Sequence, residues 1–201
     1  MKDLTTYLGL AAVYLLSFNA LLGLLMGARY NPYKRWPHRR INVLKLHNWT
    51  AYVGLALSIA HPIPLLFLDK PRFSFLNVAW PIDSPEQPTI NMIGALALYL
   101  LAFTVVTSIY RAEIGRQRWK PLHYLTYPLV LLLVIHGSLT DQNLDNSAVD
   151  LLDAEKVGIM ACGVVILAAT ILRFWWESKH PKYQPPNRQP SASGHAAHSP
   201  G

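Results

Sequence analysis

The chain has 201 residues, of which 52% are hydrophobic and only 14% charged, with a formal net charge of +7. A soluble domain carries nearer a quarter charged residues, so the composition argues against one and for a single compact membrane unit. The basic residues are segregated by loop rather than gathered on one face, which speaks against a nucleic-acid partner and for membrane topology.

Five apolar runs are long enough, or nearly so, to cross a hydrocarbon core that needs about 20 helical residues. The first covers Leu4 to Ala28. It is too long for a cleaved signal peptide, and no small-x-small site follows it. The linker ARYNPYKRWPHRRINVLK then carries six Lys or Arg and no acid. The second run, Leu46 to Leu68, contains no Asp, Glu, Lys or Arg, yet holds His47 and His61, fourteen residues apart. Asp69 to Pro88 has two bases and three acids. The third run, Thr89 to Tyr110, leads into a loop from Arg111 to Lys120 with four bases and one acid. The fourth, Pro121 to Thr140, carries His123 and His136, thirteen apart, with Pro128 between them. Asp141 to Lys156 has five acids and one base. The fifth run, Val157 to Leu172, is short, but Arg173 can snorkel, and Phe174, Trp175 and Trp176 read as an interfacial belt. Cys162, the one cysteine, lies inside this run as a small hydrophobe. With no CxxCH, a covalently attached c-type haem is excluded.

Summed by side, 14 of the 18 Lys and Arg fall on one face of the membrane and 9 of the 11 acids on the other. The positive-inside rule then gives an all-α integral membrane protein, a bundle of about five transmembrane helices, N-out and C-in. Residues 1–180 form the bundle. The tail, residues 181–201, is rich in Pro, Ser, Ala and His and reads as a disordered cytoplasmic extension. His195 and His198 in it read as solvated rather than chelating.

A histidine at membrane depth costs several kcal/mol or more unless something satisfies it. Runs two and four cross in the same direction, so His47 and His123 lie near one surface, and His61 and His136 near the other. At 1.5 Å per residue each pair on a helix is about 20 Å apart. Two layers of two facing imidazoles suit b-type haem with two axial histidines, stacked across the membrane. Fourteen residues return within about 40° of the starting face, whereas thirteen miss by about 140°, a mismatch that a kink or local unwinding at Pro128 can reduce by re-aiming one of them. Structural histidines, a non-haem metal and a proton relay are the competing readings. The charge-free spans offer no carboxylate for the last two.

LHNWTAYVGLALSIAH and RWKPLHYLTYPLVLLLVIH resemble the ferric reductase-like transmembrane domain. That family includes NADPH oxidases, iron reductases and the haem subunit of a methionine sulfoxide reductase system. The resemblance covers roughly Arg39 to Asp141. It implies a helical bundle holding b-type haem on His47, His61, His123 and His136 and passing electrons from a cytosolic donor outward. Haem propionates favour cations at the membrane edges. Arg39, Arg40, Lys45, Arg118 and Lys120 are the candidates on the basic side and Arg72 on the other, although each also serves topology. An aromatic residue between the two haems is frequent in the family, and none can be assigned here.

Unlike NADPH oxidases, the chain shows no Gly-rich nucleotide loop after its last run. The expectation is therefore a di-haem cytochrome b subunit of a membrane oxidoreductase, in a bacterial inner membrane. It would be embedded in lipid and supplied by a redox partner protein or quinol within a larger complex. One haem instead of two, and bound flavin or quinone, stay open. The alternatives are a quinol-linked cytochrome b of a respiratory complex and a haem-free anchor or transport subunit.

Overall fold

A computed structural model describes residues 2–27, 42–141 and 150–179 of the chain. Arg39, Arg40 and the tail 181–201 lie outside the described residues. Among the described residues no strand occurs, and five helices are long and apolar enough to cross a membrane. In hydrocarbon every backbone polar group must be satisfied within the segment, which leaves the helix as the form for such runs.

Helix α1 (Lys2–Gly27) packs along α2 (Val43–Ala60). Asn42 caps α2, its side chain accepting the Lys45 N–H at 3.0 Å. The expected run to Leu68 ends as helix sooner. His61 keeps right-handed helical geometry and still donates its N–H to the Leu57 carbonyl. Pro62 and Pro64 then impose a 3-10 segment, Ile63–Phe67. A short α3 (Phe75–Ala79), closed by a Ser74–Asn77 capping box, crosses to α4 (Pro88–Ile109). Short α5 (Arg111–Ile114) turns at Gly115, whose φ of +83° suits glycine, into α6 (Arg116–His123). Helix α7 (Thr126–Leu139) follows, and α8 (Ala154–Lys179) closes the bundle against α1 and α7.

The fourth crossing is therefore broken, and the break falls just after His123 rather than at Pro128 itself. Proline clashes with the carbonyl four residues earlier, here that of Tyr124. The N–H groups of Tyr124, Leu125 and Tyr127 accordingly bond three residues back, at 3.1 Å each. A 3-10 turn advances about 20° more per residue than an α-helix, so the tightening rotates His136 back towards the face of His123. The fifth helix is longer than Val157 to Leu172. Phe174, Trp175 and Trp176 belong to it and are exposed.

Leu16, Ala97, Leu101, Val105 and Leu129 form the mid-bundle core. Leu131, Val164, Leu167, Ile171 and Leu172 point outward, as lipid contact requires. At one end Gln87, at φ +48°, ties the start of α4 to the end of α7. Its amide donates to the Asp141 carbonyl at 2.8 Å and accepts the Asp141 N–H at 2.6 Å. Both residues are buried, so truncation strands backbone groups. Gln87→Ala should lower stability in detergent by about 1–3 kcal/mol, read from thermal unfolding of the purified protein.

Candidate functional site

The helices that carry the four histidines do not pack closely on each other. Helix α2 is held beside α1, and α7 beside α4, which leaves space between α2 and α6–α7. His47 and His123 face each other at the end of the bundle where the basic loops emerge, with ring centroids 6.3 Å apart and planes at 73°. His61 and His136 do the same at the acidic end, at 6.3 Å and 82°. The two expected layers are thus both formed.

Each ring is tied by Nδ1 to a neighbouring helix. His47 donates to the Asn19 carbonyl at 3.1 Å, and His61 to the Thr5 carbonyl at 2.8 Å, both on α1. His136 donates to the Ile90 carbonyl of α4 at 2.9 Å. A carbonyl only accepts, so these rings carry the proton on Nδ1 and leave Nε2 with a free lone pair. His123 meets the Ser108 hydroxyl at 3.3 Å, and Trp119 stacks on its ring at 4.7 Å. The Asn19 side chain adds bonds to the His47 carbonyl at 2.5 Å and to Thr50 Oγ1 at 2.8 Å, which clamps α1 to α2 at that depth.

Glycines make room for the rings. A Cβ on Gly94 would lie 2.6 Å from His136 Cε1, one on Gly9 2.8 Å from His61 Nδ1, and one on Gly23 3.3 Å from His47 Cε1. On α1 both features repeat with the spacing of the histidines. Thr5 and Asn19 are fourteen residues apart, as are Gly9 and Gly23. These supports were missed from the sequence. Only the repeated glycines could have announced them, because the acceptors are backbone atoms.

The basic-end cavity, about 750 Å³, is lined by His47, His123, Trp119, Tyr127, Arg111 and Arg173. Thr104 Oγ1 on its wall is buried with no hydrogen-bond partner among the described residues. The acidic-end cavity, about 170 Å³, is lined by His61, His136, Asn91 and Asp141 among others. Leu101 and Leu133 border both. The residues shared between the layers are thus aliphatic.

Of the cations suggested by sequence, Arg118 and Lys120 are exposed and off the cavity wall, with Lys120 over the Tyr124 ring at 5.7 Å. Lys45 and Arg72 also lie off the two cavity walls. Arg173, by contrast, lies on the basic-end wall. Its side chain is only 16% exposed, sits 3.6 Å from Glu177 and donates to Tyr127 Oη at 3.3 Å. The glycine at Gly27 admits it, since a Cβ there would be 2.5 Å from Cζ.

No group of three or more His, Cys, Asp or Glu gathers among the described residues. A bare ion would find two nitrogens per layer and too few other ligands. A metal carried in a macrocycle brings the remaining four with it. The spacing fits as well. A metal–imidazole bond is about 2 Å, and a ring nitrogen lies about 1.2 Å from its centroid, so two rings facing one metal sit about 6.4 Å apart, close to the 6.3 Å of both pairs.

The model of the ferric reductase like transmembrane component matches residues 8–134, more than half of the chain. The chain belongs to that family. The match includes His47, His61 and His123 and ends two residues before His136. Comparison with curated proteins and with solved structures gave no match. Membership of the ferric reductase like family suggests membrane electron transfer for a chain with five candidate spans.

The glycine supports give a direct check. Gly94→Val should displace His136, and if both layers hold haem, as the family resemblance implies, the haem bound after expression with haem supply falls by about one per chain. The pyridine haemochromogen assay reads this, and the basic-end pair should be spared.

Proposed function

We propose that the chain is the haem-bearing electron-transfer subunit of a membrane oxidoreductase, with b-type haem held between His47 and His123 and between His61 and His136. The observation that carries this reading is the pair of 6.3 Å ring separations on opposed helices. Three of the four rings are locked by carbonyls in the tautomer that frees Nε2. Bound haem b supplies reversible one-electron chemistry inside an apolar medium.

The chain's own residues do the rest. The Thr5, Asn19 and Ile90 carbonyls fix ring orientation and raise imidazole basicity. Leu101 and Leu133 keep water out between the layers. Arg111 and Arg173 place positive charge on the basic-end wall, where haem carboxylates would lie. Arg118 and Lys120 serve the orientation instead, which the positive-inside pattern gives as N-out and C-in, while Arg39 and Arg40 keep their place as candidate cations for the haem carboxylates.

Two faces imply a donor and an acceptor. The reading places a cytoplasmic-side protein or quinol at the basic end and an acceptor at the acidic end, in a bacterial inner membrane and within a larger complex. A one-haem version has one specific observation in its favour. The acidic-end cavity, about 170 Å³, falls below the range usual for cofactor sites, whereas the basic-end one lies within it.

Single His47→Ala and His61→Ala variants separate the cases. Each should remove a different low-spin component from the reduced-minus-oxidised spectrum, lowering haem content by about half. Loss of one component by His47→Ala, with no effect of His61→Ala, would leave the basic-end pair as the only site. No effect of either variant on a haem-containing wild type would refute the ligand assignment.

A further inference from the structure

Three of the four histidine supports follow one rule, in which a backbone carbonyl accepts the Nδ1–H and a glycine stands four residues later. Thr5 precedes Gly9, Asn19 precedes Gly23 and Ile90 precedes Gly94. A fourteen-residue step along α4 leads from Ile90 to Thr104 and from Gly94 to Ser108. Serine stands where the rule has glycine, and it comes between the fourth imidazole and the Thr104 carbonyl.

The Ser108 hydroxyl is fully used. It donates to the Thr104 carbonyl at 2.7 Å, accepts from Trp119 Nε1 at 3.3 Å, and meets His123 Nδ1 at 3.3 Å. A hydroxyl has one proton and two lone pairs. With the proton committed to Thr104, His123 is the donor and Nε2 is again free. The contact to His123 is longer than the three carbonyl contacts, and its acceptor oxygen is shared with an indole N–H. Such an acceptor polarises the imidazole less than a carbonyl does.

We propose that Ser108 is a positioning residue that weakens His123 as an electron donor and so raises the reduction potential of the basic-end site. The inference rests on the proposed haem ligation. A less basic axial imidazole favours the reduced metal, because hydrogen bonding to the ligand is one of the levers that set haem potentials. The four-residue rule thus builds two unequal sites into an otherwise repeated frame.

Redox titration of the purified full-length protein tests this, with the basic-end component identified as the one lost in His47→Ala. Ser108→Gly opens the Thr104 carbonyl to His123, and should shift the basic-end equilibrium about fivefold to tenfold towards the oxidised form. A tenfold shift is about 59 mV for one electron. Ser108→Ala removes the acceptor while its Cβ keeps the carbonyl covered, so the potential should rise. Ser108→Thr keeps the hydroxyl and should stay near wild type. The acidic-end component should not move in any of them. A merely structural role would move the Gly and Ala variants the same way, and that result overturns the proposal. Should Ser108→Gly fail to accumulate, an unchanged potential in Ser108→Ala overturns it equally. A wild-type protein that takes up no haem would overturn the ligation reading as well, which distinguishes the two failures.

Discussion

Everything in this bundle depends on an imidazole in a membrane helix finding an acceptor on the next helix. A histidine left unsatisfied at membrane depth would cost several kcal/mol, so each of the four is bonded through Nδ1 before any ligand is considered. That requirement fixes which helices pack. Helix α1 supports the histidines of α2, and α4 supports those of α6 and α7. The two supporting pairs then leave a gap between the carriers, and the free lone pairs belong to rings that face each other across it. Helix packing and the facing of the rings are therefore one constraint.

The histidines and the five spans were legible in the sequence because charge is absent around them. A ring nitrogen in a run without Asp, Glu, Lys or Arg stands out, and four in like-directed runs stand out more. Their supports were not legible. Backbone carbonyls leave no residue signature, and the glycines at Gly9, Gly23 and Gly94 look like ordinary helix-packing residues until the fourteen-residue step is noticed. Cations were the other gap. Sequence pointed to Arg118 and Lys120 and gave Arg173 only a snorkelling role, whereas Gly27 makes room for the Arg173 guanidinium, a matter of three-dimensional approach.

The fourth crossing shows how local chemistry and the global requirement are reconciled. Thirteen residues in an unbroken helix would point His123 and His136 to different faces. Pro128 disallows the regular bond at Tyr124, the chain tightens over Tyr124 to Tyr127, and the extra rotation brings the faces closer together. In α2 the fourteen-residue spacing needs no such correction, and the prolines there follow His61 instead of preceding it. The two carriers thus reach one geometry by different local routes.

The central claim is that the paired histidines ligate haem. The most direct measurement is haem per chain, with an electron paramagnetic resonance spectrum of the oxidised wild-type protein purified after expression with ample haem. The account predicts about two b-type haems per chain with low-spin signals of bis-imidazole ligation, or one such haem if only the basic-end cavity fills. A colourless protein, or haem that is wholly high-spin, would contradict it.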